Sequence, residues 1–317
     1  MSKVLITGGG GFIGSRLAER LRERDANVKI TLLDIAFPPG LDSKFECIAG
    51  DIASPAVIAQ ALGHDTTSVY HLASVVSGGA EADFDLGYRV NLDGARALLE
   101  ACRKLPAPPK FVFASSVAAF GGVLPRVLDD STTPAPQTSY GTQKVIIEYL
   151  VADYTRKGFI DGRSLRLPTI VVRPGKPNLA ASSFASSIIR EPVSGVAVDC
   201  PVDESTGVWI LSPRRVVEAF IHAHDLPSSA WPTTRVVNLP GITLTVREML
   251  DAMGRVAGKE AVDRVRFVPD ERIRNIVKTW PVRFTTARAL EMGFKPDEGF
   301  DEVVRDFAAT LERKIVA

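Results

Sequence analysis

Apolar residues in the first half of the chain follow two alternating rhythms. Short, largely apolar runs at residues 3–7, 28–33, 45–49, 68–72 and 110–115 predict strands buried on both faces. Between them, apolar positions recur every three or four residues, as at Phe12, Ile13, Leu17 and Leu21, which predicts a helix over 12–24. Ser54 followed by Pro55 is an N-cap and first-turn pair that opens another helix. Residues 82–103 and 139–157 are expected to be the two long helices. Strands of this kind alternating with helices imply an α/β fold, a doubly wound parallel sheet with helices on both faces. Beyond about residue 175 the rhythm breaks into proline- and glycine-punctuated segments, and the charged stretch 297–314 reads as an amphipathic surface helix. The expected organisation is a Rossmann domain over 1–174, with strand and helix returns from 205–240, and a small carboxyl-terminal lobe over most of 175–317.

Composition narrows the class without choosing within it. A chain of 317 residues with 45% hydrophobic content can bury a full core. Its net charge of +1 comes with no basic stripe, so no nucleic-acid partner is expected. No apolar run approaches the roughly 20 residues of a membrane helix. Residues 1–6 enter the first strand directly, so no secretory leader is expected. Cys47, Cys102 and Cys200 are odd in number and far apart, which suggests reduced thiols in a cytoplasmic protein. His64, His71, His222 and His224 form no ligand spacing, and no metal site is expected.

Two motifs carry the chemistry. Thr7-Gly-Gly-Gly-Gly-Phe-Ile-Gly14 follows the first strand and opens the first helix, the context in which such a turn binds a dinucleotide pyrophosphate. Gly8 permits the turn, Gly11 lets backbone approach the phosphates, Gly14 allows close helix–strand contact, and Phe12 and Ile13 open a helix with free N–H groups. Asp34 ends the second strand 20 residues after Gly14, placed to bind both adenosine ribose hydroxyls, so NAD is favoured over NADP. Asp51 and Ile52, after the third strand, are placed to touch the adenine. Downstream, Tyr140 and Lys144 stand four apart on a predicted helix and so share a face. A phenol near pKa 10 is a poor base at neutral pH, but an adjacent ammonium and the cationic nicotinamide favour phenolate. Ser116, at a strand's carboxyl end, can hydrogen-bond the reacting oxygen.

In order, the glycine turn, Gly50-Asp-Ile52, His71-Leu-Ala-Ser74, Val90-Asn-Leu-Asp-Gly94, Phe113-Ala-Ser-Ser116 and the Tyr–Lys pair span nearly half the chain. This series resembles the extended short-chain dehydrogenase/reductases of the NAD-dependent epimerase/dehydratase group. The resemblance implies a Rossmann fold with a substrate lobe, and homodimerisation through the two long helices. Carried over by position, Ser116, Tyr140 and Lys144 are the catalytic trio. Asn91, the asparagine of the fourth helix, is implied as a fourth catalytic residue, and Leu72, Ala73 and Ser74 line the cofactor pocket, where Tyr140 is also expected to touch the cofactor. Lys144 is also expected on the nicotinamide ribose.

Departures from the group bear on substrate. Sugar-nucleotide enzymes of this kind carry an arginine ahead of a pair of aspartates; in the matching run, 207–219, Val208 or a neighbour holds the arginine position and Arg214-Arg215 replaces the aspartates. Phe120 stands where many epimerases have tyrosine. Residues 162–178 and the serine-rich 181–187 resemble instead dehydrogenases of short sugar acids, which oxidise a C2 hydroxyl to a 2-oxo acid. Such a substrate needs a cation for its carboxylate, for which Arg173 is the candidate and Lys176 the competitor. Ser77, Ser116 and Ser183 are candidates for its hydroxyls. The alternatives are a sugar-nucleotide epimerase or dehydratase that recycles its NAD, and an NAD-binding sensor without chemistry. Trp209, Trp231 and Trp280 are expected in the core or at an interface.

Overall fold

The computed structural model describes residues 3–175 and 181–316. Its principal feature is a seven-stranded parallel sheet of β1 (Lys3–Thr7), β2 (Lys29–Asp34), β3 (Glu46–Ala49), β4 (Thr66–His71), β5 (Lys110–Ser116), β6 (Asp161–Leu167) and a late strand, Val236–Asn238. The spatial order is β3-β2-β1-β4-β5-β6 followed by the late strand, the doubly wound arrangement expected from the alternating pattern. Leu5, Leu33, Val69, Phe111 and Phe113 are buried between the helical layers, which is why the middle positions of these strands are apolar.

The helices of this unit are α1 (Phe12–Arg24), α2 (Pro55–Ala61), α3 (Ser77–Ala82), α4 (Phe84–Gly87), α5 (Gly94–Cys102) and α6 (Ser139–Arg156). The continuous helix expected over 82–103 is divided. Asp83 ends α3 and caps α4 by accepting from the Leu86 amide, and Tyr88–Asp93 is a π-helical turn before α5 begins. A π turn inserts one residue per turn and rotates the side chains after it, a feature found mostly at functional positions. At the start of α6, the Thr138 hydroxyl accepts from the Gly141 amide.

By its contacts the chain forms two compact units: residues 1–119, 136–167 and 217–238, and residues 120–135, 168–216 and 239–317. The boundaries differ from those expected. The return to the first unit covers 217–238, and Gly207–Leu211 belongs instead to the second unit, as the middle strand of a three-stranded sheet with Ile242–Thr245 and Thr169–Ile170. The physical reason is burial: Val208 and Ile210 pack with Val171, Ile188, Met249 and Val304 in the second unit's own core. That unit also holds helices Ser183–Val193, Val246–Ala257 and Phe300–Val316. Thr245 and Glu248 form a reciprocal capping box at the start of the second of these.

Trp209 is buried and stacked on Phe284 at 5.1 Å between ring centroids, and Phe120 is buried against the same ring at 5.9 Å. Arg214 pairs with Glu302 and Asp306 of the terminal helix. Trp231 is buried in the first unit, and Trp280 packs against the second unit's core.

Candidate active site

The glycine turn is shaped by contacts that no larger residue could make. Gly8 has φ of +72°, and a Cβ there would lie 2.8 Å from the Ala73 nitrogen; one on Gly14 would lie 2.2 Å from the Gly8 carbonyl oxygen. A Cβ on Gly11 would meet only the Gly8 oxygen, at 3.2 Å, so the outer side of the turn is open. Helix α1 begins there with no side-chain cap and no acidic residue in its first turn. Its leading amides are therefore available to an anion, and no carboxylate competes for them.

Asp34 is pinned at the end of β2. One carboxylate oxygen accepts from the Gly10 amide at 3.0 Å and the other from Ile35 at 2.7 Å. Gly10 and Asp34 are thus joined directly, coupling the phosphate turn to the residue expected at the ribose. Asp51 accepts from the Ala53 amide and from Arg89, and these contacts hold its carboxyl below the usual range, the Arg89 hydrogen bond foremost. Ile52 turns its side chain into the core, so only its backbone is left to meet a ligand.

On the other side of β1, the end of β4 runs against the turn. Leu72 donates its amide to the Thr7 carbonyl, and Ala73 donates to the Thr7 hydroxyl. That hydroxyl lies 2.7 Å from His71 Nδ1, while burial brings the His71 imidazole down to about 3, so it is neutral at physiological pH. Asn91, in the π turn, is wholly engaged. Its oxygen accepts from the Val75 amide at 2.7 Å and the Ser74 hydroxyl at 3.1 Å; its amide donates to the Val75 carbonyl and, at 2.7 Å, to Gln143 of α6. Asn91 therefore ties the segment after β4 to the helix carrying Tyr140, and acts as a brace. Ser77 is the first residue of α3, in this same unit.

Ser116 is the last residue of β5, where its hydroxyl accepts from the Ala118 amide at 3.1 Å. The start of α6 lies close against the following turn because residue 141 is glycine: a Cβ there would fall 2.2 Å from the Ala118 carbonyl. Tyr140, the preceding residue, is half-buried. Lys144 is only 2% exposed; its ammonium donates to the Ala114 carbonyl at 2.9 Å and lies 5.3 Å from the centre of the Tyr140 ring. Burial brings the Lys144 ammonium down to about 7, with Glu148 acting in the opposite direction. A positive charge held this close favours the phenolate form of Tyr140.

Ser116, Tyr140, Lys144, Asn91, Asp34 and the glycine turn all belong to the first unit. Arg173 and Ser183 belong to the second. There the Arg173 guanidinium reaches the Ser182 hydroxyl at 3.3 Å, and its amide donates to Ser186. Lys176 lies outside the described residues. Sequence reasoning passed over Glu148 and Arg166, whose ion pair is buried beneath Lys144. The available signals were Glu148 four residues after Lys144 on an inward helix face, and an arginine between Leu165 and Leu167 in β6.

The family model for the NAD dependent epimerase/dehydratase family matches residues 4–230. A curated protein from Cupriavidus necator called D-erythronate dehydrogenase is 53% identical over 314 residues, covering 96% of this chain and 97% of its own. One of the same name from Haemophilus influenzae is 46% identical, covering 96% and 98%. Among solved structures, a nucleoside-diphosphate-sugar epimerase from Agrobacterium tumefaciens superposes with a TM-score of 0.89 at 39% identity, over 96% of this chain and 92% of its own. The open glycine turn, the pinned Asp34 and the Tyr–Lys helix thus sit in a chain that belongs to the NAD dependent epimerase/dehydratase family.

Proposed function

We propose that this protein is an NAD-dependent dehydrogenase of a short sugar acid, oxidising the C2 hydroxyl of D-erythronate to the 2-oxo acid. The observation that carries the reading is near-full-length similarity to two D-erythronate dehydrogenases, joined to a chain that retains Ser116, Tyr140 and Lys144. The uncapped start of α1, with Phe12 and Ile13 leading it, would hold the pyrophosphate, Asp34 the adenosine ribose, and Asp51 with the Ile52 backbone the adenine edge. Leu72, Ala73 and Ser74 would line the inner wall, and Lys144 would reach the nicotinamide ribose. When bound, NAD supplies the acceptor for the hydride that leaves C2. Tyr140, as phenolate, takes the hydroxyl proton, while Ser116 orients the reacting oxygen toward it. Lys144, when protonated, places a positive charge beside the phenol.

For the substrate, Arg173 is the proposed partner of the carboxylate, with Ser77, Ser116 and Ser183 for the hydroxyls. Arg173→Ala is expected to raise KM for the acid much more than for a neutral polyol analogue. Equal effects on both, in steady-state assays, would take the carboxylate away from Arg173. Asp34→Ala is expected to weaken NAD more than NADP, because the carboxylate both binds the ribose diol and repels a 2′-phosphate. An unchanged ratio of the two Kd values, measured by calorimetry, would remove its role in cofactor choice. The same reading includes a cytoplasmic homodimer paired through α5 and α6, where Tyr149 is 69% exposed; the mass in solution from light scattering checks the pairing.

A second reading has its own support, in the likeness to the nucleoside-diphosphate-sugar epimerase. The two differ in redox balance. Incubation of the purified protein with NAD and four- and five-carbon aldonates, and separately with UDP-sugars, is followed by absorbance and by product analysis. Net NADH with D-erythronate supports the dehydrogenase. Conversion of a UDP-sugar without net NADH supports the epimerase.

A further inference from the structure

Beneath Lys144, one helical turn along α6, lies a buried three-residue network. Glu148 is 4% exposed and accepts from Arg166 at both oxygens, 2.9 Å from Nε and 2.6 Å from a terminal nitrogen. The Ser115 hydroxyl donates to the same carboxylate at 2.5 Å. Ser115 and Arg166 are register partners on β5 and β6, so the carboxylate spans two neighbouring strands at their carboxyl ends. Arg166 also reaches the Asn238 side chain at 3.5 Å, on the last strand of the sheet.

A buried ion pair of this kind adds little stability over an apolar pair of the same shape, so its presence calls for another account. Its location suggests one. Ser115 immediately precedes Ser116, and adjacent strand residues face opposite sides of the sheet. Anchoring the Ser115 side chain to Glu148 therefore fixes the rotation of the strand end on which Ser116 sits. Glu148 is also four residues from Lys144, on the same face of the helix.

The other groups around Lys144 are the Tyr140 ring on α6, the Phe113 ring at 4.8 Å and the Ala114 carbonyl on β5, and neutral His71 on β4. Glu148 is the group whose negative charge opposes the desolvation of Lys144, and Arg166 on β6 acts on the lysine by way of Glu148.

We propose that Glu148, clamped by Arg166 and Ser115, is the positioning residue of the reacting pair: a fixed counter-charge that keeps Lys144 cationic in a dry setting and holds the strand end carrying Ser116. The proposal deepens the dehydrogenase reading and rests on Tyr140 being the base. Loss of Glu148 removes the carboxylate that Arg166 grips and the negative charge that supports protonated Lys144. Lys144 then gives up its proton more readily, and the phenolate of Tyr140 loses support. The acid limb of the pH–rate profile consequently moves upward, with the plateau above it retained.

The test uses Glu148→Gln, Glu148→Asp, and Glu148→Gln combined with Arg166→Met, which leaves no unpaired guanidinium and keeps the protein foldable should the single variant not be. The titration of Lys144 is read by the NMR shift of its labelled Cε in the NAD-free protein, assigned with Lys144→Arg. In parallel, NADH formation from D-erythronate is followed against pH. The expected result for Glu148→Gln is a Lys144 midpoint lowered, and an acid limb raised, by about one pH unit each, with roughly tenfold slower turnover below the limb. Glu148→Asp should recover part of both shifts. The double variant should recover thermal stability yet keep both shifts in reduced form. A double variant with wild-type midpoint and limb would show that the network is structural only, and would overturn the proposal. Should wild-type protein form no NADH from any aldonate while the variants still move the Lys144 midpoint, the substrate assignment falls and the electrostatic role of Glu148 stands.

Discussion

Tyr140→Phe is expected to lower turnover with D-erythronate by about 10²- to 10⁴-fold, the range a positioned acid–base group supplies. The reason is the specific loss of the oxygen that receives the hydroxyl proton, since phenylalanine keeps the ring. NAD affinity should stay near the wild-type value, because the substitution leaves the glycine turn and the Asp34 carboxylate unaltered. The melting temperature should also change little, since the substitution removes one hydroxyl from a half-buried position. Single-turnover rates and NAD titration on the same preparation separate the two effects. Turnover close to wild type would take Tyr140 out of the chemistry and leave Lys144 as the group to explain.

Lys144→Met is expected to remove turnover to a similar extent while making the NAD-free protein more stable. The buried ammonium of Lys144 is brought down from 10.5 to about 7. At about 1.4 kcal/mol per unit, the folded state is disfavoured on the order of 5 kcal/mol at and below about pH 7, where both states hold that proton. Loss of the hydrogen bond to Ala114 and of the ring contacts returns roughly half of it, so a net gain of about 2 kcal/mol is expected, or several degrees in melting temperature. The sign follows from linkage. The folded-state value lies below the unfolded one, so the stability at stake is fully present above about pH 10.5 and is lost as pH falls toward 7. The advantage of the methionine variant should therefore be largest at and below pH 7 and shrink toward pH 10.5. Melting curves across that range check it, and a variant less stable than wild type at pH 6.5 would refute it. Such an outcome would mean that Glu148 compensates the lysine far more fully than its distance along the helix implies.

These two residues also show where local sequence stops being informative. The spacing of Tyr140 and Lys144 could be read directly, because residues four apart on a helix share a face in any protein. The dry surroundings of Lys144 could not. They depend on Phe113, Ala114 and His71, which arrive from strands that are distant in the chain and adjacent only once the sheet has formed. The expected helix over 82–103 shows the same limit. Its periodicity is genuine, but a π turn keeps apolar residues inward while changing the register after Tyr88. Buried Asn91 sits in that turn, and its four hydrogen bonds exist only with Val75, Ser74 and Gln143 in place.

What the sequence determined by itself was the set of features that depend on near neighbours: the alternation of buried strands with helices, the glycine turn at the head of α1, the carboxylate at the end of β2, and the Tyr–Lys face of α6. Each rests on steric or helical constraints acting over a few residues. Tertiary structure alone decided the division at 167–168, the assignment of Gly207–Leu211 to the second unit's sheet, and the Ser115–Glu148–Arg166 network. Those are matters of which distant surfaces exclude water together. A strand such as Gly207–Leu211 is apolar enough for either sheet, and a glutamate and an arginine 18 residues apart carry no mark of being partners until burial brings them within hydrogen-bonding distance.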